Sequence, residues 1–172
     1  ILKAEAENGI VYAGLQKKAI VEALSSGVSV LTGGPGTGKT TTLNAIIELL
    51  TMRKLDIALA APTGRAAKRM TELCGREAKT IHRLLEVDWN NEDKPEFSRN
   101  EKNPLECDVI IIDEASMVDV MLFDSLLKAL RPNCRVILVG DSNQLPSIQA
   151  GNILNDIIES ERFSFVCLKK VF

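Results

Sequence analysis

The sequence predicts an α/β fold in which a parallel five-stranded sheet carries helices on both faces. Five short aliphatic runs alternate with segments that have helical spacing. Each run is nearly continuous rather than alternating in polarity, which is typical of strands that are buried on both faces. Strands that alternate with helices indicate right-handed crossovers, and therefore a parallel sheet.

The five predicted strands are separated by predicted helices in a regular order along the chain. We expect strands at VSVLTG (28–33), IALAAP (57–62), DVIIIDE (108–114), RVILVGD (135–141) and SFVCL (164–168). We expect helices over residues 17–24, 41–54, 64–75, 118–132 and 152–160. Gly75 and Pro132 supply stop signals for the third and fourth of these helices.

One polar segment, residues 86–104, interrupts this order. It contains an Asn-Asn pair, Pro95 and two isolated aromatic residues, Trp89 and Phe97, and no helical face can be drawn through it. Two interpretations stay open from the residues alone, a disordered loop and a small projecting β-hairpin.

The composition is that of one globular domain spanning residues 1–172. Hydrophobic residues make up 45% of the chain but aromatic residues only 4%, so we expect a mainly aliphatic core. The net charge of −2 means that any nucleic-acid site must be local. The four cysteines are far apart in sequence, which favours reduced thiols in a cytoplasmic protein over a zinc site. No apolar run approaches the roughly 18 residues of a membrane span, so we expect no membrane partner.

A phosphate-binding loop follows the first predicted strand. Residues 33–40 fit the pattern G-x-x-x-x-G-K-S/T, between a strand and a helix as that pattern requires. Backbone N–H groups of such a loop surround phosphates, and the helix N-terminus adds a positive dipole end. Lys39 would contact the β- and γ-phosphates, and Thr40 would offer its hydroxyl to Mg²⁺. The predicted nucleotide-binding residues here are Gly33, Gly34, Pro35, Gly36, Thr37, Gly38, Lys39, Thr40 and Thr41.

Two acidic residues and a glutamine extend this site. A carboxylate at the end of a buried strand is costly unless it is paired or near a metal, so Asp113 is expected to anchor Mg²⁺, partly through water. Glu114 is then free to orient and deprotonate the attacking water. Gln144 follows a further strand, where it is expected to contact the γ-phosphate. A strand end that merely meets solvent is the alternative for the acidic pair.

These strings resemble the first motor domain of superfamily 1 DNA helicases, in the RecD-like branch (the family of the exodeoxyribonuclease V alpha subunit). The matching strings are GGPGTGKTTT, APTGRAAKRM (61–70), TIHRLL (80–85), IIDEASMVD (111–119) and VGDSNQLPSIQAGNIL (139–154). The resemblance implies a RecA-like P-loop NTPase that uses ATP and Mg²⁺ to move 5′ to 3′ on single-stranded DNA and unwind duplexes in DNA repair and recombination. It also implies that the strand leading to Gln144 lies between the other two strands of the site, and that Gln16 recognises adenine.

The resemblance also assigns a DNA side to the domain. Residues 61–83 carry six basic and two acidic side chains, a local charge of +4 in a chain that is −2 overall. Pro62, Thr63, Gly64 and Arg65 match the family's single-strand contact motif and would hold phosphates without contacting base edges. His82 has two interpretations, a contact with the single DNA strand or a polar link to the ATP pocket. Residues 86–104 fall where the family inserts a duplex-splitting hairpin.

The resemblance implies partners beyond this chain. A second RecA-like domain and the subunits of a nuclease complex are expected. The family places one arginine just after an aromatic residue that Phe172 resembles and another in the second domain, and such a group is worth about 10³–10⁵ in rate. We therefore expect the 172-residue chain alone to bind Mg-ATP weakly and to hydrolyse it negligibly. Two other functions stay open: an RNA helicase of the same superfamily, and an ATP-dependent regulatory clamp or scaffold that does not translocate. A P-loop kinase fits less well, because Glu114 and Gln144 suit water as the nucleophile.

Overall fold

A computed structural model describes residues 1–2, 5–6, 9–88, 96–142 and 151–171. The strands within these ranges are β1 (Val28–Gly33), β2 (Ile57–Ala61), β3 (Ala78–Thr80), β4 (Val87–Asp88), β5 (Glu96–Phe97), β6 (Val109–Ile112), β7 (Arg135–Gly140) and β8 (Ser164–Leu168). The α-helices are α1 (Gly14–Ser25), α2 (Lys39–Met52), α3 (Gly64–Cys74), α4 (Ile81–Leu84), α5 (Val120–Lys128) and α6 (Ile153–Glu159), and a 3₁₀ helix spans Ala115–Met117.

The main sheet has six strands in the order β3-β2-β6-β7-β1-β8, and every neighbouring pair is parallel. The predicted α/β class and parallel sheet are confirmed, but the predicted count of five strands is wrong. The missed strand, β3, has three residues and lies at the edge beside β2. Its sequence Ala-Lys-Thr contains no aliphatic run, because an edge strand needs less apolar cover than a central one.

Within the interrupting segment the described residues form two short strands, which fits the hairpin interpretation, and the hairpin over residues 86–104 stays a prediction. Strands β4 and β5 pair antiparallel, with Val87 opposite Phe97 and Asp88 opposite Glu96. Trp89 lies outside the described residues. This strand pair, the hairpin, lies in the chain between α4 and β6 and interrupts the α/β order.

Capping side chains set several helix boundaries. The Asp119 carboxylate accepts a hydrogen bond from the Leu122 backbone N–H at 2.9 Å, so α5 begins at Val120. The helix ends at Lys128, short of the predicted stop at Pro132. The predicted span of 118–132 was thus too long at both ends, because the cap fixes the start and the last turn unwinds before the proline.

Two aliphatic layers cover the sheet, one on each face. On one face α1, α2 and α3 pack against residues such as Leu31 and Ile111. On the other face α4, α5 and α6 pack against the adjacent residues of the same strands, such as Val30 and Ile110. Each fully buried aliphatic side chain contributes roughly 1.5–3 kcal/mol, so these layers stabilise the central strands most strongly.

The strand order brings three loops to one edge of the sheet. Strand β7 lies between β6 and β1, with Ile112 opposite Leu138 and Thr32 opposite Gly140. This confirms the strand order that the sequence resemblance implied. Because all three strands are parallel, the segments after each of them meet at the carboxyl edge, where ligands bind in open α/β sheets. Within the described residues, we find no helix with the length and apolar character needed to cross a membrane.

Candidate ATP site and nucleic-acid edge

The loop between β1 and α2 requires glycine for two reasons, a positive φ angle at some positions and close packing at another. Gly36 and Gly38 have positive φ angles of 74° and 83°, a region that other L-residues enter at a cost. Gly33 faces a different constraint, since an added Cβ would lie 2.7 Å from the Leu168 carbonyl oxygen and 2.7 Å from Thr37 Oγ1. The backbone therefore approaches β8 too closely for any side chain, and the phosphate-loop pattern has the strand–loop–helix setting that it requires.

Polar side chains hold this loop in shape. Thr37 Oγ1 donates to the Gly34 carbonyl oxygen at 2.8 Å. The Lys39 ammonium donates to the carbonyl oxygens of Gly33 and, at 2.9 Å, Gly34. Thr40 is exposed in the first turn of α2, beside backbone N–H groups that have no partner within the helix. A helix N-terminus with a nearby ammonium and hydroxyl suits a phosphate group with its cation.

The predicted acidic pair lies directly after the buried end of β6. Asp113 follows Ile112, which is fully buried, and its Oδ1 accepts a hydrogen bond from the Glu114 backbone N–H at 2.9 Å. Glu114 adopts a left-handed conformation with φ of 53°, and the 3₁₀ helix starts at the next residue. A non-glycine residue in this region costs about 1–2 kcal/mol, and such strain is often found at functional sites.

Burial disfavours the charged forms of both carboxyl groups, and repulsion from Asp113 adds to this at Glu114. Burial raises the pKa of Asp113, although its bond to the Glu114 N–H and the positive charges of Lys39 and Arg69 oppose the shift. Burial also raises the pKa of Glu114, and the neighbouring Asp113 carboxylate adds to this. Two half-buried carboxyl groups beside two cations form the kind of electrostatic cluster that is common in active sites.

A third wall comes from the segment after β7. Gly140 and Asp141 line the same cavity as the phosphate loop, and Asp141 is buried. The Ser142 backbone N–H donates to Thr32 Oγ1 at 3.2 Å, which fastens this segment to the end of β1. Gln144 lies outside the described residues, so its contact with the γ-phosphate stays a prediction.

Gln16 joins the start of α1 to the phosphate loop. Its side chain is buried; Oε1 accepts from the Ala13 backbone N–H at 2.9 Å, and Nε2 donates to the Gly38 carbonyl oxygen at 3.5 Å. The side chain also lines the cavity. Its place beside the loop fits the expectation of adenine contact, which stays a prediction.

These walls enclose one cavity of about 670 Å³. Gln16, residues 34–41, Asp113 and Glu114, which the sequence assigned to the nucleotide site, line this cavity, and nucleotide binding by them stays a prediction. It is also lined by residues that sequence reasoning did not assign to the pocket: Ile10, Val11, Leu43, Arg69, Leu73, Val139, Gly140 and Asp141. Arg69 is the most informative addition, since its charge acts on both carboxyl groups. The signal available in the sequence was helical spacing, because Arg69 and Leu73 are four residues apart and so lie on one face of α3.

The predicted nucleic-acid residues lie at the same edge of the sheet, beyond β2 and β3. Thr63 caps α3, its Oγ1 accepting from the Ala66 backbone N–H at 3.2 Å, while Gly64 and Arg65 are exposed. Strands β2 and β3 pair in parallel, with Ala61 opposite Thr80. Pro62 and the residues after it therefore leave the sheet beside the segment that carries His82.

His82 lies against the hairpin rather than in the cavity wall. Its ring centroid is 6.0 Å from that of Phe97, with the two rings tilted by 53°. His82 is absent from the residues that line the ATP cavity within the described part of the chain. Both interpretations of His82, the contact with single-stranded DNA and the polar link to the ATP pocket, stay predictions.

Comparison with known proteins agrees with this geometry. A family model described as an AAA domain matches residues 16–150. The RecBCD enzyme subunit RecD of Mycolicibacterium smegmatis is 42% identical over 167 residues, covering 84% of this chain and 30% of that protein. The ATP-dependent RecD2 DNA helicase of Deinococcus radiodurans is 48% identical over 122 residues, covering 71% of this chain and 16% of that protein.

Solved structures show the same fold. The Pif1 helicase of Candida albicans aligns with a TM-score of 0.68 at 26% identity, covering 95% of this chain and 41% of that one. The Bacteroides sp Pif1 structure aligns with a TM-score of 0.64 at 24% identity, covering 95% and 43% of the two chains. The chain spans 16–30% of the length of the RecD and RecD2 relatives above. The family model covers most of the sequence, so the chain belongs to the AAA domain family, and over this region it is similar to the RecD-type helicases, as the sequence resemblance implied.

Proposed function

We propose that this chain is the first RecA-like motor domain of a RecD-like DNA helicase. In this function ATP hydrolysis drives translocation along single-stranded DNA, 5′ to 3′, and unwinding of the duplex. One observation carries the proposal: a single edge of the sheet bears both the ATP cavity, after β1, β6 and β7, and the basic segment after β2 and β3. The nucleotide and the DNA strand would thus bind to adjoining loops of one rigid sheet.

The phosphate loop supports the binding step. Backbone N–H groups at the start of α2 and the Lys39 ammonium would hold the β- and γ-phosphates, and Gln16 would orient the base. The hydroxyl of Thr40 and the carboxylate of Asp113 fit Mg²⁺, because this ion prefers oxygen ligands and keeps several waters. When bound, Mg²⁺ would neutralise charge on the phosphate oxygens.

The acidic pair supports the hydrolytic step. A carboxylate with a raised pKa accepts a proton more readily than an exposed one, so Glu114 suits the role of general base toward a water molecule. Asp113 occupies the neighbouring position, where its charge is balanced by Lys39 and Arg69. Gln144 would complete the site and sense the γ-phosphate.

The β2–β3 side supports the contact with DNA. Thr63, Gly64 and Arg65 stand at a helix N-terminus, which favours phosphate through both its N–H groups and its dipole. The ring of His82 lies 6.0 Å from that of Phe97, which supports a role for the base of the hairpin near the segment after β3, where it would meet the duplex. The Deinococcus radiodurans relative is named a DNA helicase, and a Bacteroides Pif1 structure is bound to single-stranded DNA, which supports DNA as the track.

The proposed partners of this domain are inferred from the names of the relatives and from its assignment as one domain of a two-domain motor. Several relatives are named subunits of the RecBCD enzyme, so we propose that nuclease-complex subunits and a second RecA-like domain complete the motor. A cytoplasmic location fits the DNA substrate and four free thiols among the described residues.

The test is the ATPase rate of the full-length protein that contains this chain, with and without single-stranded DNA and with a matched RNA oligonucleotide. We expect strong stimulation by DNA that weakens as salt rises, since phosphate contacts release counterions. Arg65→Ala should reduce the stimulation, whereas Arg53→Ala, which changes an exposed arginine at the C-terminal end of α2, outside the basic segment, should leave it unchanged. Stimulation by RNA alone would indicate the RNA helicase, and equal rates with and without nucleic acid would indicate a regulatory clamp.

Two variants separate ATP binding from hydrolysis in that protein. Lys39→Ala should abolish both, because it removes the ammonium from the phosphate loop. Glu114→Gln should retain ATP binding and block hydrolysis, because the amide cannot accept the proton of water. A normal hydrolysis rate in Glu114→Gln would contradict the assignment of the general base.

A further inference from the structure

Two of the four cysteines lie close together at the amino ends of the strands, on the side of the sheet opposite the ATP cavity. Cys107 precedes β6 and Cys134 precedes β7, so both lie at the amino ends of neighbouring parallel strands. They are 27 residues apart in sequence, yet their Sγ atoms are 3.9 Å apart. The sequence spacing suggested four separate thiols, whereas the fold creates a pair.

This pair is reachable from outside although it is largely covered. A cavity of about 470 Å³ is lined by both cysteines together with Asp108, Arg131 and neighbouring loop residues. Cys107 is 9% exposed and Cys134 is half-buried. Arg131 is held over the site by its bonds to the Glu106 carbonyl oxygen and the Asp108 carboxylate. A small oxidant can therefore enter a site whose cation is fixed in place.

The two sulfur atoms differ in acidity because of this arrangement. The hydrogen bond from Cys134 and the nearby Arg131 lower the pKa of Cys107 against the opposing effect of burial. The same bond and burial raise the pKa of Cys134. Cys74, by contrast, packs against the apolar core, and burial together with the charge of Asp113 raises its pKa to about 11. A thiol with a lowered pKa beside a second thiol is the arrangement found in reversible redox pairs.

We infer that Cys107 and Cys134 form an oxidation site that a hydroperoxide closes to a reversible disulfide. The Cys107 thiolate attacks one oxygen of hydrogen peroxide, the O–O bond breaks, and the departing hydroxide takes up a proton as water. The resulting sulfenic acid is attacked by the Cys134 sulfur, which expels a second water as the S–S bond forms. Two thiols lose two hydrogens in all, and one peroxide becomes two waters. A dithiol reductant reverses the reaction by thiol exchange.

The position of the pair predicts what oxidation changes. The sulfur atoms must approach from 3.9 Å to about 2 Å, but β6 and β7 are already paired from Val109 and Arg135 onward. The bond would close a loop that includes Asp113 and Glu114, so it would restrict the unfolded chain. The ATP cavity lies at the other end of both strands. We therefore expect greater thermal stability with unchanged ATP affinity.

Hydrogen peroxide treatment of the 172-residue chain tests this inference directly. Intact mass should fall by two hydrogens, the original mass should return with dithiothreitol, and peptide mapping should join Cys107 to Cys134. The melting temperature should rise by roughly 5–10 °C. Cys134→Ser should lose both effects, and Cys167→Ser, a matched half-buried control, should keep them.

Peptide mapping of the oxidised native chain tests the pairing without any substitution. Disulfides that involve Cys74 or Cys167, or mass gains of whole oxygens with no Cys107–Cys134 link, would overturn the inference. Because the expected readouts are covalent mass and melting temperature, failure here is distinct from failure of the proposed ATP-driven function.

Discussion

Glu114→Gln should stabilise the folded chain while it removes the proposed general base. The substitution keeps the size and shape of the side chain and its left-handed backbone, with φ of 53°. The change removes a negative charge that is half-buried beside Asp113. The stability change therefore reports the electrostatic cost of holding this carboxylate in the site.

The magnitude depends on the surroundings of the side chain. Burial disfavours the ionised form, Asp113 repels it, and Arg69 and Lys39 offset part of the cost. We expect a net gain of about 1 kcal/mol, within the range of roughly 0.5–2 kcal/mol of common stabilising substitutions. For a chain of this size the melting temperature would rise by about 2–4 °C.

The pH dependence gives a second signature. The folded-state pKa of Glu114 is raised, so the penalty is fully present above that folded pKa. It disappears as the pH falls toward the unfolded pKa, because the side chain is then protonated in both states. The advantage of Glu114→Gln over the native chain should thus be largest at neutral pH and shrink in acid.

The assay is thermal unfolding of the native chain and its variants at several pH values. Glu161 offers a matched control, since it is also a glutamate with φ of 53° but is exposed and lies outside the cavity wall. Glu161→Gln should change the free energy of unfolding by less than about 0.5 kcal/mol. An unchanged or lower melting temperature for Glu114→Gln at neutral pH would refute the electrostatic explanation.

Three further substitutions test other contacts of the site. Gly33→Ala should destabilise the chain by about 1–3 kcal/mol, because its Cβ meets the Leu168 carbonyl oxygen at 2.7 Å; native-like urea unfolding would contradict this. Arg69→Ala should weaken ATP binding roughly tenfold by calorimetry, whereas Lys68→Ala, its exposed neighbour outside the cavity wall, should not. Thr63→Ala should lower the free energy of unfolding by about 1 kcal/mol through loss of the helix cap. Thr63→Ser should restore the cap and this stability, and an equal loss of stability in both variants would exclude the cap as the cause.

Burial explains which elements the sequence predicted well. The central strands were predictable because both of their faces are covered, as at Ile110 and Ile111, and this leaves a continuous aliphatic run. Strand β3 was missed because Lys79 and its neighbours form an edge, where pairing with β2 rather than apolar cover defines the strand. The end of α5 was misplaced because Pro132 marks where a helix cannot continue, not where it stops.

The candidate site was predictable to the extent that it is local in sequence. Lys39 belongs to a continuous phosphate-loop string, and Asp113 and Glu114 stand together at a strand end. Arg69 reaches the same cavity from α3, and its part depends on how that helix is rotated on the sheet, which no single string specifies. The pairing of Cys107 with Cys134 likewise required the strand order.

The stability and the chemistry of this domain are concentrated at different places on the same strands. Ile112 is fully buried between layers that stabilise the fold, and the next two residues are carboxylates whose ionised forms the fold disfavours. This abrupt change is possible because the aliphatic cover holds β6 in place independently of the acidic pair at its end. A site assembled from charges alone would relax toward solvent, and its carboxylates would return to ordinary acidity. The core therefore determines the proton affinity of Glu114. A cavity in that core, such as Ile112→Ala, should lower the ATPase rate of the full-length protein at temperatures where thermal unfolding shows that the domain is still folded.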